Sequence, residues 1–196
     1  MLYGTLVDLV PYGQRFMDQD HRWWNNESVL WSGEGERNFL SKAQIDAEHK
    51  EWREKEELRT GLGFGVLTKD GIPIGGFGIN WIAPFSRIAN LGASIGEPAY
   101  WGGGYGTDAL LLIMDYCFRT LDMRKVWLST MSLNARVIRQ MQKVGFRQEA
   151  LLRKGAHVDG QWYDEPIYGL FADEWPGYAA MIARLGLTAK PSPQPD

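Results

Sequence analysis

Residues 100–110 read YWGGGYGTDAL. Gly102, Gly103, Gly104 and Gly106 let a backbone bend through conformations closed to other residues and bring its amides close to a ligand. The apolar residues that follow recur at helical spacing. A helix N-terminus presents unpaired N–H groups and partial positive charge, so a glycine loop feeding Thr107 and Asp108 would hold a phosphate or pyrophosphate. Two familiar phosphate loops do not fit. A Walker loop needs a Lys after its last glycine, and a dinucleotide fingerprint follows the first strand of a domain. A flexible turn ahead of a core helix answers the same residues, so the loop alone leaves both readings open.

Other reactive side chains carry little pattern. His21, His49 and His157 lie far apart without metal-ligand spacing, which reads as surface or hydrogen-bonded imidazole, and no metal is expected. No Ser sits in a nucleophile-elbow context. Cys117 is the one cysteine in the sequence and falls within a helical apolar pattern. It reads as a buried thiol in a chain without intramolecular disulfides, expected in a reducing, cytoplasmic compartment.

At 196 residues with 44% hydrophobic content, the chain suits one well-packed domain. A net charge of −3 and the absence of a basic, aromatic-interleaved stripe argue against nucleic acid or anionic membrane as partner. No stretch approaches the roughly 18 apolar residues of a membrane span, and the protein is expected to be soluble.

These residues need elements to position them. Residues 6–10 alternate weakly and end at Pro11, a short strand. Residues 12–33 carry Trp23, Trp24 and Trp31 among polar residues, a helical or irregular cover. Ser41 and Gln44 form a capping-box pattern ahead of a charged surface helix with Ala43, Ala47 and Trp52 as a thin apolar stripe. Residues 63–68 and 72–82 read as a hairpin around Lys69, Asp70 and Gly71, and residues 87–96 as a further strand that delivers the chain to the glycine loop. Beyond it, Leu110, Leu111, Met114, Cys117, Phe118 and Leu121 mark a helix face. A strand over 126–131 follows, then a helix capped by Asn134 and stopped at Gly145, then a hairpin turning at Asp159 and Gly160. The segment 189–196 reads as a disordered, proline-rich tail, leaving 1–188 as one domain.

In this order the sequence resembles the GNAT superfamily of acyl-CoA-dependent N-acetyltransferases, particularly its RimJ/RimL-like branch. Four segments carry the resemblance: RWWNNES, IGEPAYWGGGYGTDAL, NARVIRQMQKVGF and WYDEPIYGLFADEW. It extends over residues 6–175. It implies an α/β (α+β) fold: a mixed, largely antiparallel sheet of about seven strands, a splayed central strand pair and helices on both faces. The cofactor implied is acetyl-CoA. Its pyrophosphate would lie on the amides of Gly102, Gly103, Gly104, Gly106 and Thr107, with Trp101 and Tyr105 in the loop. The end of the preceding strand, at Ile95 and Gly96, would flank the pantetheine arm, and Asn134 matches a family Asn that contacts it; Asn134 as a helix cap is the other reading. Gly103 stands where the family often has Lys.

The resemblance also implies direct attack of a primary amine on the thioester, with a base to remove the amine proton. Glu97 is the leading candidate, placed where strand meets loop, with Asp164 and Glu165 in reserve; an exposed carboxylate at a strand end is the plain alternative. Two departures stand out. The family's proton-donating Tyr is Met141 here, and a Ser used in some RimL-like enzymes is Val137, neither of which can donate a proton. Tyr105, Tyr163 and Tyr168 are the substitutes considered. An acyl-CoA-binding or sensing protein is therefore the rival to an enzyme that acetylates a protein N-terminal amine, a polyamine, an antibiotic or another small amine. Trp23, Trp24, Trp31, Trp81, Phe85 and Trp162, with Glu27 and Glu34, would form an acceptor cleft, or pack in the core or at a homodimer contact.

Overall fold

The computed structural model describes residues 1–30, 39–191 and 193. Among the described residues, eight strands form one sheet in the order β1-β2-β3-β4-β5-β6-β8-β7. They are β1 (Leu2–Tyr3), β2 (Val7–Pro11), β3 (Leu62–Thr68), β4 (Pro73–Ala83), β5 (Ile88–Ile95), β6 (Lys125–Ser129), β7 (Arg147–Val158) and β8 (Gln161–Phe171). Every neighbouring pair is antiparallel except β5 and β6. The helices are α1 (Gln14–Trp24), α2 (Glu27–Leu30), α3 (Lys42–Glu57), α4 (Tyr105–Asp115), α5 (Ala135–Val144) and α6 (Tyr178–Leu185). The eighth strand is β1. It pairs Leu2 with Leu9 and Tyr3 with Asp8, and two residues are too few to show alternation in a sequence. Helix α6 was also not anticipated. Among the described residues, no helix is long and apolar enough to cross a membrane.

One sheet face carries α4, whose Leu110, Leu111, Ile113 and Met114 are almost completely buried against strand residues such as Val66, Ile79 and Leu91. Burying each such side chain stabilises by about 1.5–3 kcal/mol. A π-helical turn, Tyr116–Thr120, continues α4 and buries Cys117. Burial pushes that thiol up to about 12, so it stays protonated and poorly nucleophilic.

Helices α1 and α3 cover the opposite face, where glycines in the strands admit aromatic rings from α1. A Cβ at Gly65 would fall inside the Phe16 ring, and one at Gly96 inside the Trp23 ring. The capping box of Ser41 and Gln44 forms as its pattern requires. The buried stripe of α3 is different from the expected one. Ile45 and His49 are buried while Ala43 and Ala47 are exposed, because the longer side chains reach α1 and the methyl groups do not.

His49 enters this layer through a polar chain. Its Nε2 lies 2.6 Å from Asp20 Oδ2, and the Tyr12 hydroxyl donates to Asp20 Oδ1 at 2.6 Å. Burial raises the Asp20 carboxyl above its ordinary value, outweighing the two hydrogen bonds that lower it. A raised acid binds its proton more tightly in the folded state. Its favourable contribution is complete below the unfolded value of about 3.9 and is lost as pH rises through the folded one. Asn in place of Asp20 keeps an acceptor for Tyr12 and offers a donor to His49. Denaturant titrations of D20N and wild type are therefore expected to diverge in favour of D20N as pH rises above about 4. A difference constant from acid to neutral pH contradicts this account.

Candidate functional site

Strands β5 and β6 pair over three residues, the last being Asn90 with Trp127. Beyond that point, among the described residues, β5 is bonded through Ile95 to β4 alone, and a cleft of about 460 Å³ lies between this stretch of β5, the glycine loop and α5. The glycine loop forms its far end. Gly102 and Gly104 take left-handed φ of 75° and 90°, and such alternation turns successive N–H groups to one side of a loop. Gly104 is the N-cap of α4 and has no side chain to satisfy the helix's first amides. No acceptor takes the backbone N–H of Gly102, Gly103 or Gly104 among the described residues.

Three contacts hold the walls together. Trp101 donates its indole N–H to the Ile95 carbonyl at 2.7 Å. The Arg136 guanidinium lies 4.0 Å from the centroid of the Trp101 ring. Gln140 donates to Thr107 Oγ1 at 3.2 Å, tying α5 to the first turn of α4. Arg136, Arg139 and Lys143 all line the cleft, and among the described residues none that lines it is acidic. Burial pulls the Arg136 guanidinium below its ordinary value. An anion in the cleft would offset that desolvation.

Of the residues singled out in the sequence, Ile95, Trp101, Gly102, Gly103, Gly104, Gly106 and Thr107 line this cleft. Most of the others lie elsewhere. Tyr105 is buried beneath the loop with its ring edge-on to Tyr100. Gly96 backs onto Trp23. Asn134 is buried and caps α5, accepting from the Val137 N–H at 3.2 Å. Glu97 faces α1, where Trp23 Nε1 donates to it at 2.8 Å and the Arg22 guanidinium pairs with both carboxylate oxygens. Asp164 accepts the Lys154 N–H at 2.8 Å within the β7–β8 hairpin. Met141 is in the core and Val137 lines the cleft. Tyr168 is a core residue.

The aromatic residues are dispersed. Trp23 is buried, Trp24 lies edge-on to His49, and Phe85 and Trp162 are exposed. Trp31 and Glu34 lie outside the described residues. Trp81 packs edge-on to Trp127 across the point where β5 and β6 part.

At that fork sits a directed polar chain. Asn90 donates to the Trp127 carbonyl at 3.4 Å, and Asn80 donates to Asn90 Oδ1 at 2.8 Å. A backbone carbonyl can only accept, so it sets the orientation of Asn90 and then of Asn80. Asn80 belongs to an irregularity in the register of β4. Its Oδ1 is left as an acceptor beside Gly92.

The sequence reading missed Arg136, Arg139, Gln140 and Lys143. Their i, i+3, i+4, i+7 spacing does mark one helix face. It also missed Phe77, Ala93, Ser94 and Tyr100, which line the cleft from the sheet and the loop.

Comparison with known proteins follows this geometry. A family model for an acetyltransferase (GNAT) domain matches residues 9–147. The uncharacterized N-acetyltransferase YnaD of Bacillus subtilis is 28% identical over 79 residues, 40% of this chain and 46% of the relative, so the chain spans about half of that relative's length. Spermidine N(1)-acetyltransferase of Escherichia coli K12 is 29% identical over 158 residues, covering 80% of this chain and 81% of the enzyme. The structure of Mycobacterium smegmatis RimJ in complex with CoA-disulfide superposes with a TM-score of 0.82 at 23% identity, covering 94% of each chain. At that identity the likeness is one of fold.

Proposed function

The chain belongs to the GNAT acetyltransferase family, and on that premise we propose that it transfers the acetyl group of acetyl-CoA directly to a primary amine. One observation carries the reading: the cleft between the unpaired end of β5 and α5 is lined, among the described residues, by three cations and no carboxylate, and ends on the open amides of the glycine loop. The cofactor's phosphates would lie against the loop and α5. Its pantetheine arm would run beside the part of β5 that has lost β6 as partner. Residues 1–188 would act as one catalytic domain, working in the cytoplasm, with the segment from 189 to 191 laid against its glycine loop. Similarity to an enzyme named for spermidine supports polyamines as acceptors beside protein α-amines.

In the reaction the amine nitrogen attacks the thioester carbonyl carbon. The N–C bond forms, the C–S bond breaks, and the amine proton passes to a base. Backbone N–H groups near the carbonyl would stabilise the oxyanion. The coenzyme thiolate leaves and takes a proton. With an ordinary thiol value near 8.5, it leaves tolerably without a dedicated donor.

Glu97 is the proposed base, acting through water, with Arg22 and Trp23 orienting its carboxylate. E97Q is expected to lower kcat by about 100-fold or more while leaving acetyl-CoA affinity and melting temperature close to wild type. The Arg22 pair is solvent-exposed on the Arg side, so its loss should contribute less than about 1 kcal/mol to stability. Wild-type turnover by E97Q removes Glu97 from the mechanism.

A second reading, an acyl-CoA sensor with little transfer, is favoured by Met141 in the core and Val137 at the cleft. Calorimetric titration with acetyl-CoA, followed by thiol release against peptide N-termini, polyamines and antibiotics, separates the two. Binding with amine-dependent release supports the enzyme. Binding without release across the panel supports the sensor, and absence of binding overturns both.

A further inference from the structure

The segment that follows α6 runs onto the glycine loop. Gly186, at a left-handed φ of 64°, ends α6. Leu187 then packs so closely on Gly104 that a Cβ there would stand 2.9 Å from its Cδ2. Three residues on, Lys190 donates from Nζ to the Gly103 carbonyl at 2.5 Å, with the ammonium 5.1 Å from the centroid of the Tyr105 ring. The Tyr105 hydroxyl meets the Pro191 carbonyl at 3.5 Å. A Cβ at Gly103 would lie 3.1 Å from Lys190 Nζ. The Tyr105 ring, 2.9 Å from that Cβ, and the ammonium of residue 190 together occupy the space that a side chain at position 103 would enter.

Two physical consequences follow. The first is charge: Lys190 adds a cation beside the loop, and no carboxylate pairs with it among the described residues. The second is orientation. In a trans peptide the C=O and N–H point in opposite directions, so a Gly103 carbonyl held toward Lys190 turns the Gly104 N–H away from the tail. That amide is one of those left without an acceptor.

We propose that Lys190, delivered by the C-terminal segment, is a positioning residue for the diphosphate site of coenzyme A: it holds the Gly103 carbonyl so that the Gly104 N–H faces the cleft, and it sets a positive charge behind the loop. Both the hold on the carbonyl and the charge behind it come from 87 residues away in sequence. This inference rests on the coenzyme A reading of the cleft and adds to it a residue outside the loop and α5.

The test is calorimetric titration of the full chain and of K190M and K190R with coenzyme A and with 3′-dephospho-coenzyme A, at low and high salt. K190M is expected to bind both ligands about 10-fold more weakly at low salt, with the difference shrinking at about 1 M salt, where the screening length falls to about 3 Å. K190R should recover most of the loss. The proposal is overturned if K190M binds coenzyme A within about twofold of wild type. It is equally overturned if the penalty disappears with the dephospho ligand, which places the contact at the 3′-phosphate, or if it persists unchanged in high salt, as a purely structural effect would. Wild type that binds no coenzyme A overturns the cleft reading itself, whereas wild type that binds beside an indifferent K190M overturns only the role of Lys190.

Discussion

Gly104→Val is expected to lose coenzyme A affinity by about 100-fold or more, close to 2.7 kcal/mol at 1.36 kcal/mol per decade. Gly104 holds φ at 90°, and the Cβ of any other residue would lie 2.9 Å from Leu187 and 3.2 Å from Leu6. The left-handed conformation costs an L-residue roughly 1–2 kcal/mol, and more when it is β-branched. A valine would leave that conformation and take the loop amides with it. The helix behind should survive, because Leu110, Leu111 and Ile113 anchor α4 in the core. Calorimetry and a thermal melt on the same preparation separate these effects. G104A, with the smaller side chain, should fall between valine and wild type. Unchanged affinity in G104V would show that the loop is not the phosphate cradle, whatever else the cleft holds.

The largest effect on stability is expected at Asp108, which is fully buried in the first turn of α4. Its carboxylate does not face the cleft. Oδ2 accepts the N–H groups of Leu6 at 2.6 Å and Val7 at 3.0 Å, and Oδ1 accepts the Tyr178 hydroxyl at 2.6 Å. One side chain thus joins α4 to the start of β2 and to α6. Burial, reinforced by the hydrogen bond to Asp108, pushes the Tyr178 phenol up to about 12, keeping it protonated as a donor. D108A strands these donors, each at about 1–3 kcal/mol, for a total loss of about 4 kcal/mol and a Tm lower by roughly 8–16 °C in a chain of this size. D108N should lose less. Its amide can donate to the Tyr178 oxygen while that hydroxyl turns to Thr5 Oγ1, 3.2 Å away. A Tm for D108A within about 2 °C of wild type would contradict the assigned network.

Both predictions concern residues that the sequence brought into view, and they differ in how much of each role was legible there. The run of glycines ahead of a helical apolar pattern suggested an anion cradle or a plain turn, and Gly102 and Gly104 take the positive φ that either one uses. Asp108 was read as part of that same loop-to-helix junction. Its partners lie about 100 residues before it and 70 after it in sequence, and no local pattern names them. Helix α5 divides in the same way. Asn134 and Gly145 set its ends in both sequence and structure. The stripe of Arg136, Arg139, Gln140 and Lys143 was visible as spacing, yet its facing the cleft depends on where β5 and β6 part.

By itself the sequence determined the turns, caps and ends of elements, and through its ordered motifs the family. Positive φ at a glycine, a side-chain cap and an alternating strand are each decided within a few residues by sterics and local hydrogen bonds. The tertiary structure alone decided which charges meet. It turned Glu97 toward Arg22 and Trp23, buried Asp20 with His49, aimed Asp108 at β2 and α6, and laid Lys190 on Gly103. An ionic or hydrogen-bonding side chain takes whichever partner packing brings within about 3 Å, and that partner is chosen by the sheet order and the helices across it, not by neighbours in the chain.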